Sequence, residues 1–250
     1  MPTDDAEALV LRQYTLSEAD RIIVLFTKEH GKLRAVAAGA KRPRSRIGAC
    51  LEPLNHVRLH YYLKEGADLA HIRQCETLHS YLGKETSVER LYAYTYLAEI
   101  LQEISQENNP NPLLFRLTLA TLAACEELGV RKALLRYFEF WSLRLSGLLP
   151  NYDYCSGCGK CVKDDGFFAS AEDGLGRCHA CSRGEGVRIG TGAARQLRMI
   201  SALSPVKFAS QSKEENEENE LERLAQRMFD LHLEKRLRSY ENLNHILRGL

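Results

Sequence analysis

Long apolar runs are missing from this 250-residue chain: the longest stretch of large apolar residues, Ile22–Phe26, has five. A bilayer-spanning helix takes roughly 18, so no membrane-spanning segment is expected. A surplus of one charge is missing too, since 34 Lys and Arg stand against 33 Asp and Glu for a formal net charge of +1. That excludes the blanket positive charge of a histone-like protein, and any affinity for nucleic acid must come from local clustering. The opening Met1-Pro2-Thr3-Asp4-Asp5-Ala6-Glu7 is acidic where a secretory signal is basic and then apolar. A cytoplasmic location without a membrane partner is the expectation. Enzyme signatures are absent as well, with no G-x-S-x-G, no G-x-x-x-x-G-K-S/T and no H-E-x-x-H, and the eight histidines (30, 56, 60, 71, 79, 179, 232, 245) are scattered. No catalytic residue is assigned and the chain is not expected to be an enzyme; a metal-dependent hydrolase is the remote alternative.

What is present describes a folded chain, with 44% hydrophobic and 27% charged residues, enough for a sizeable core. Five short strands are expected at 7–14, 21–27, 32–38, 56–64 and 69–78, where apolar residues are β-branched or alternate. In the fourth, Val57, Leu59, Tyr61 and Leu63 share one face, and His56, Arg58, His60, Tyr62 and Lys64 the other. Gly31 in Glu29-His30-Gly31-Lys32 and Gly66 in Glu65-Gly66-Ala67-Asp68 supply turns, so adjacent strands should form antiparallel hairpins. Five such strands in about 75 residues suit a small closed barrel of the OB type, with an SH3-like barrel as the nearest competitor.

From about Ser87 the apolar period changes to that of a helix. Leu91, Tyr94, Leu97, Leu101 and Ile104 form the stripe of a helix over 90–106, which Asn108-Asn109-Pro110-Asn111-Pro112 ends. Further helices are expected over 113–128, 131–145 (Leu134, Phe138, Trp141, Leu145), 191–203 and 221–237 (Leu221, Leu224, Met228, Leu231). Residues 151–186 lose all periodicity and fill with Cys, Gly and charge, and the Glu-rich 210–219 reads as a solvated or mobile linker. The expected fold class is α+β multidomain. An OB-type nucleic-acid-binding barrel occupies 1–81, a helical domain lies in two parts over 82–150 and 187–250, and a zinc module is inserted over 151–186.

Five of the eight cysteines crowd into 27 residues, which favours metal over disulfides in a reducing compartment. Cys155-x2-Cys158, nineteen intervening residues and Cys178-x2-Cys181 have the spacing of two zinc knuckles sharing one tetrahedral ion. A four-thiolate set fits Zn²⁺ best. Cys161 makes an equally spaced pair with Cys158, and His179 is a spare nitrogen ligand, so both stay open as alternates; an iron–sulfur cluster is a further alternative. A catalytic zinc keeps an open position and usually carries His ligands, so a structural metal is expected. Cys50, Cys75 and Cys125 stand alone beside apolar neighbours and are read as small buried hydrophobes.

Positive charge clusters once. Lys28, Lys32, Arg34, Lys41, Arg42, Arg44 and Arg46 face only one acid, Glu29, so +6 of local charge sits in a chain of +1. Pro43, between Gly39 and Gly48, favours an extended loop whose side chains reach phosphates regardless of base sequence. Lys32, Arg34, Lys41, Arg42, Arg44 and Arg46 are the candidate DNA-binding residues, with Tyr14, Phe26, Tyr61 and Tyr62 as candidate stacking planes. A solvated charge run is the plain alternative. Arg131, Lys132, Arg136 and Arg144 line the helix that bears Trp141 and form a candidate cationic rim for an acidic protein tail; surface arginines that merely solvate the helices are the alternative.

Val10-Leu11-Arg12-Gln13-Tyr14, Ser17-Glu18-Ala19-Asp20-Arg21-Ile22-Ile23, Phe26-Thr27, Gly31-Lys32-Leu33-Arg34-Ala35-Val36-Ala37, Gly39-Ala40-Lys41-Arg42-Pro43 and Leu51-Glu52-Pro53 resemble the start of the RecO family of bacterial DNA repair proteins. Leu134-Leu135-Arg136-Tyr137-Phe138-Glu139, Gly147 with Pro150, Cys155-Ser156-Gly157-Cys158-Gly159 and Cys178-His179-Ala180-Cys181 resemble its helical and zinc regions. The resemblance runs in order along the whole chain, and Cys161 departs from the two-pair pattern. It implies an OB fold, a helical domain and a zinc module in a non-enzymatic recombination mediator of the RecF pathway, cytoplasmic and nucleoid-associated. It further implies binding to single- and double-stranded DNA, annealing of complementary strands, recognition of the acidic tail of single-strand-binding protein, and action with RecR to help RecA load. A zinc-containing nucleic-acid-binding regulator is the alternative function.

Overall fold

A computed structural model describes residues 3–64, 66–83, 86–212 and 215–248. Met1 and Pro2, Glu65 of the expected turn and residues 213–214 of the expected linker lie outside them. The chain divides into two compact units, Met1–Arg116 with Ser239–Leu250, and Leu117–Arg238. Among the described residues no helix is long and apolar enough to cross a membrane.

The first unit begins with β1 (Asp4–Thr15), β2 (Arg21–Thr27), β3 (Gly31–Ala37), a short α1 (Arg46–Cys50), β4 (Asn55–Tyr62) and β5 (Ala70–Ser80). The strands close into a barrel of order β1-β2-β3-β5-β4. The hairpins are antiparallel as expected, whereas β3 and β5, distant in sequence, pair parallel through Ala35↔Ala70 and Val36↔His71. Alternation decides what faces inward: Val57, Leu59 and Tyr61 of β4 meet Val10, Ile23, Leu25 and Ile72 in the core. Burying each large aliphatic side chain there stabilises by about 1.5–3 kcal/mol. Ala6, Ala8, Ala35, Ala37 and Ala70 fill the remaining inward positions, and small residues suit a narrow barrel. Leu63, expected in this core, is 47% exposed because β4 ends at Tyr62.

Cys50 and Cys75 correct the reading of two lone hydrophobes: they form a disulfide, with Cα atoms 6.2 Å apart, that ties α1 to β5. Twenty-five residues separate them and no spacing signature announces the pair. Cys125 is a buried free thiol.

α2 (Val88–Ile104) starts where the Ser87 hydroxyl accepts from the Arg90 amide. Its buried stripe contains Tyr94, Leu97 and Leu101, while Leu91, assigned to that stripe from its spacing, is 45% exposed. α3 (Pro112–Leu128) follows, and its first turn packs Phe115 against Phe26 with ring centroids 5.8 Å apart.

The second unit holds the rest of α3, then α4 (Lys132–Leu145), β6 (Phe167–Ala169), β7 (Gly176–Arg177), α5 (His179–Ser182), β8 (Val187–Ile189), α6 (Thr191–Ala202), α7 (Pro205–Gln211) and α8 (Glu215–His232). α4 packs against α6, α7 and α8 and buries Leu134, Phe138, Phe140 and Leu143. The Trp141 indole donates to the Ile200 carbonyl at 2.8 Å and the Tyr137 hydroxyl to that of Leu203 at 2.9 Å. Residues 151–186, read as aperiodic, contribute to a three-stranded sheet of order β7-β6-β8, completed by β8 beyond them. Tyr152 stacks on Phe167 at 4.4 Å, so the segment has a small core of its own.

The expected mobile linker is instead the end of α7 and the start of α8. Glu215, Glu217 and Glu218 occupy the first turn of α8, where carboxylates complement the helix dipole. The chain then returns to the first unit as α9 (Arg238–Arg248), a helix not among those expected although Tyr240, Leu243 and Leu247 recur at helical spacing. There the Ser239 amide donates to Glu99 Oε2 at 2.8 Å, and Tyr240 lies 5.7 Å from Tyr96.

Candidate nucleic-acid interface and metal centre

The basic segment leaves β3 through Gly39, whose φ of +69° favours glycine. It does not run extended as Pro43 suggested. Arg42 N donates to Gly39 O at 3.1 Å and Ser45 N to Arg42 O at 3.0 Å, so the loop consists of consecutive turns. Its base is pinned by Lys41 N to Ala19 O at 2.9 Å and by Gly39 N to Asp20 Oδ1 at 2.8 Å. The Gly39 N–H, with help from the Ser17 hydroxyl and Arg42, holds the Asp20 carboxyl below its usual range. At the far end Ser45 caps α1 by accepting from Gly48 N. A Cβ on Gly48 would lie 2.2 Å from the Ala40 carbonyl oxygen, so only glycine lets the loop close on the helix.

Lys41, Arg42, Arg44 and Arg46 are all exposed, and among the described residues none lies within 4.0 Å of a carboxylate. Lys41 Nζ donates to the Ser17 carbonyl at 3.1 Å, and the other two cations also have partners. Lys32 Nζ donates to the Gln102 carbonyl at 2.9 Å, at the C-terminal end of α2 where a cation is favoured, and Arg34 pairs with Glu107 at 2.8 Å. Of the candidate stacking rings, Phe26 and Tyr61 are core, Tyr14 is 43% exposed and Tyr62 is half-buried.

The cysteine pairs converge in the second unit. The sulfurs of Cys155, Cys158, Cys178 and Cys181 all lie within 4.8 Å of one another, an arrangement able to hold a metal ion. Zn–S bonds of about 2.3 Å place tetrahedral sulfurs about 3.8 Å apart, and Cys158 Sγ lies 3.8 Å from Cys178 Sγ. Gly157 passes so close that a Cβ there would lie 3.2 Å from Cys181 Sγ. Burial raises the Cys155 thiol, but the backbone N–H groups of Cys178, Cys158 and Gly157 outweigh it and bring it down to about 6. Hydrogen bonding with the sulfurs of Cys158, Cys178 and Cys155 pushes Cys181 up to about 12. Sulfurs that share protons in this way are ready to exchange them for a cation. Cys161 bridges to Tyr154 and His179 packs its ring edge against Phe168, so neither joins the four.

The remaining predicted residues separate. Arg131 is exposed and reaches the Ala209 carbonyl at 3.5 Å, and Lys132 lies 3.9 Å from Glu215. The Arg136 side chain is only 4% exposed, bonded to Glu139 at 2.7 Å and 3.7 Å from Glu222. The signal for this was the spacing Arg136-x-x-Glu139, which puts opposite charges on one face of an otherwise apolar helix.

Two family models match the chain, Recombination protein O N terminal over residues 1–81 and Recombination protein O C terminal over residues 85–241. Among curated relatives, the DNA repair protein RecO of Koribacter versatilis is 39% identical over 170 residues, covering 68% of this chain and 69% of that protein. The DNA repair protein RecO of Pelobacter propionicus is 30% identical over 252 positions, covering 98% of each. That of Pelotomaculum thermopropionicum is 29% identical over 241, covering 96% and 93%.

Proposed function

Because the chain belongs to the RecO family of DNA repair proteins, we propose that it is a recombination mediator of the RecF pathway. It binds single- and double-stranded DNA, anneals complementary strands, and acts with RecR to help RecA load on strands coated by single-strand-binding protein. In this reading residues 1–81 bind nucleic acid, 82–150 and 187–250 form the partner-facing helical domain, and 151–186 are the zinc module. The observation that carries it is the braced loop that holds Lys41, Arg42, Arg44 and Arg46 exposed and away from any described carboxylate. Such cations neutralise phosphates irrespective of sequence, and they screen the repulsion that keeps two strands apart. Lys32 and Arg34 contribute to the surrounding potential while their head groups bond the Gln102 carbonyl of α2 and Glu107 beyond it. A zinc ion on Cys155, Cys158, Cys178 and Cys181 staples its module and takes no part in chemistry. The acidic tail of single-strand-binding protein meets Arg131 and Lys132, and Arg136 serves the packing of α4.

Binding to an unstructured single-stranded oligonucleotide should weaken steeply with salt, by about 0.7 in log–log slope for each phosphate contact. Replacing Lys41, Arg42, Arg44 and Arg46 together by Ala is expected to flatten that slope by up to about 3 and to slow annealing of the complement. An unchanged slope and an unchanged annealing rate would remove the loop from the DNA-binding surface.

A further inference from the structure

On the outer face of the barrel, Tyr62 of β4 stands opposite His71 of β5. Their rings are stacked, with centroids 5.1 Å apart and planes 13° from parallel. The Arg73 guanidinium lies over the same tyrosine ring, 4.7 Å from its centroid. His71 and Arg73 alternate with buried Ala70 and Ile72, so both side chains point away from the core. The ladder shifts register here, His60 pairing with Gln74 and Tyr61 with Ile72, which leaves Arg73 opposite no residue of β4. Bulges of this kind re-aim a side chain. The result is a short column of flat groups, imidazole, phenol and guanidinium, on a surface where Tyr62 and His71 are half-buried and Arg73 is exposed.

This column lies on the strand beside the one that leads into the basic loop. The parallel pairing Val36↔His71 sets β5 beside β3 just before β3 ends at Ala37, and the turns bearing Lys41, Arg42 and Arg44 begin there. Both strands run in the same direction, so Arg73 lies farther along β5 toward the loop. Planar groups at a surface that also carries cations are what an unpaired nucleotide needs, a stacking surface for the base and a counter-charge for its phosphate.

We infer that Tyr62, His71 and Arg73 form a stacking platform for unpaired nucleobases on the same barrel that carries the phosphate-binding loop. The inference rests on the reading that the barrel binds DNA, and it adds that the protein tells single strands from duplex by base stacking at this platform. Every base has a π-face, so the platform selects no sequence, and paired bases inside a duplex do not reach it.

The test compares an oligo-dT with an abasic oligonucleotide of equal length and charge, using the full chain. The unmodified protein should bind oligo-dT more tightly by about tenfold, within the range found for one base stacked on an aromatic side chain. Tyr62→Ala, His71→Ala and Arg73→Ala should each shrink that ratio toward one, Tyr62→Phe should preserve it, and the salt slope should stay unchanged in all four. His71 and Arg73 lie outside the core, so their variants decide the matter even where Tyr62→Ala fails to fold. Equal affinity of the unmodified protein for the two oligonucleotides, or an unchanged ratio in the His71 and Arg73 variants, overturns the platform and leaves the loop standing. Absence of binding to either oligonucleotide overturns both readings.

Discussion

Arg136→Ala is expected to destabilise the second unit by about 3–5 kcal/mol, the range for breaking a buried ion pair from one side. Arg136 and Glu139 are 4% and 0% exposed in their side chains, and Glu222 on α8 is 15% exposed. Removing the guanidinium takes from the fully buried Glu139 carboxylate the cation that lies 2.7 Å from it, and charge buried with less compensation is costly. Removing both charges is a different matter. Arg136→Met with Glu139→Leu should recover part of the loss, because an apolar pair of similar volume needs no counter-charge, although Glu222 then loses the Arg136 guanidinium. Urea denaturation measures both variants. A loss below about 1 kcal/mol for Arg136→Ala, the level of a surface pair, would show that the buried charges of Arg136, Glu139 and Glu222 do not stabilise the helix packing. The same variants separate packing from recognition, since titration with an acidic tail peptide should weaken on replacing Arg131 and Lys132 by Ala and stay unchanged in a folded Arg136→Lys protein.

The largest effect is expected from metal removal. The purified chain should carry one zinc per molecule, and stripping it with a chelator should unfold the 151–186 segment, because apparent binding energies of structural zinc reach about 10–16 kcal/mol in small domains. Cys155→Ser should lose the ion, whereas Cys161→Ser should keep a full equivalent, since its sulfur stands outside the four. In the metal-free protein backbone N–H groups hold the Cys155 thiol down at about 6, so the stability that its thiolate lends to that form is complete above the ordinary thiol range and fades as pH falls through about 6. Metal analysis alongside calorimetry is the measurement, and a metal-free preparation that melts like the metal-loaded one would refute the staple.

Strand alternation and helical stripes made much of the architecture legible, because Val57, Leu59 and Tyr61, or Tyr94, Leu97 and Leu101, face the core for reasons each segment carries within itself. The metal cluster was legible for the same reason, the two C-x-x-C turns being local. What escaped depends on partners far along the chain. Nothing around Lys32 or Arg34 foretells that α2 offers the Gln102 carbonyl to one and that Glu107 meets the other. Cys50 meets Cys75 only because the barrel brings α1 to β5. The spacing to Glu139 hints at a pair for Arg136, but its second carboxylate, Glu222, comes from α8, far along the chain. The Glu-rich stretch was misread because the same composition that suits a linker also suits the first turn of a helix.

The return of α9 to the barrel unit bears on how the protein is made. Synthesis delivers the barrel strands first, then the whole of the second unit, and only afterwards the residues that place Ser239 on Glu99 and Tyr240 beside Tyr96. The contacts that join α9 to α2 can therefore form only after residues 117–238 have been synthesised.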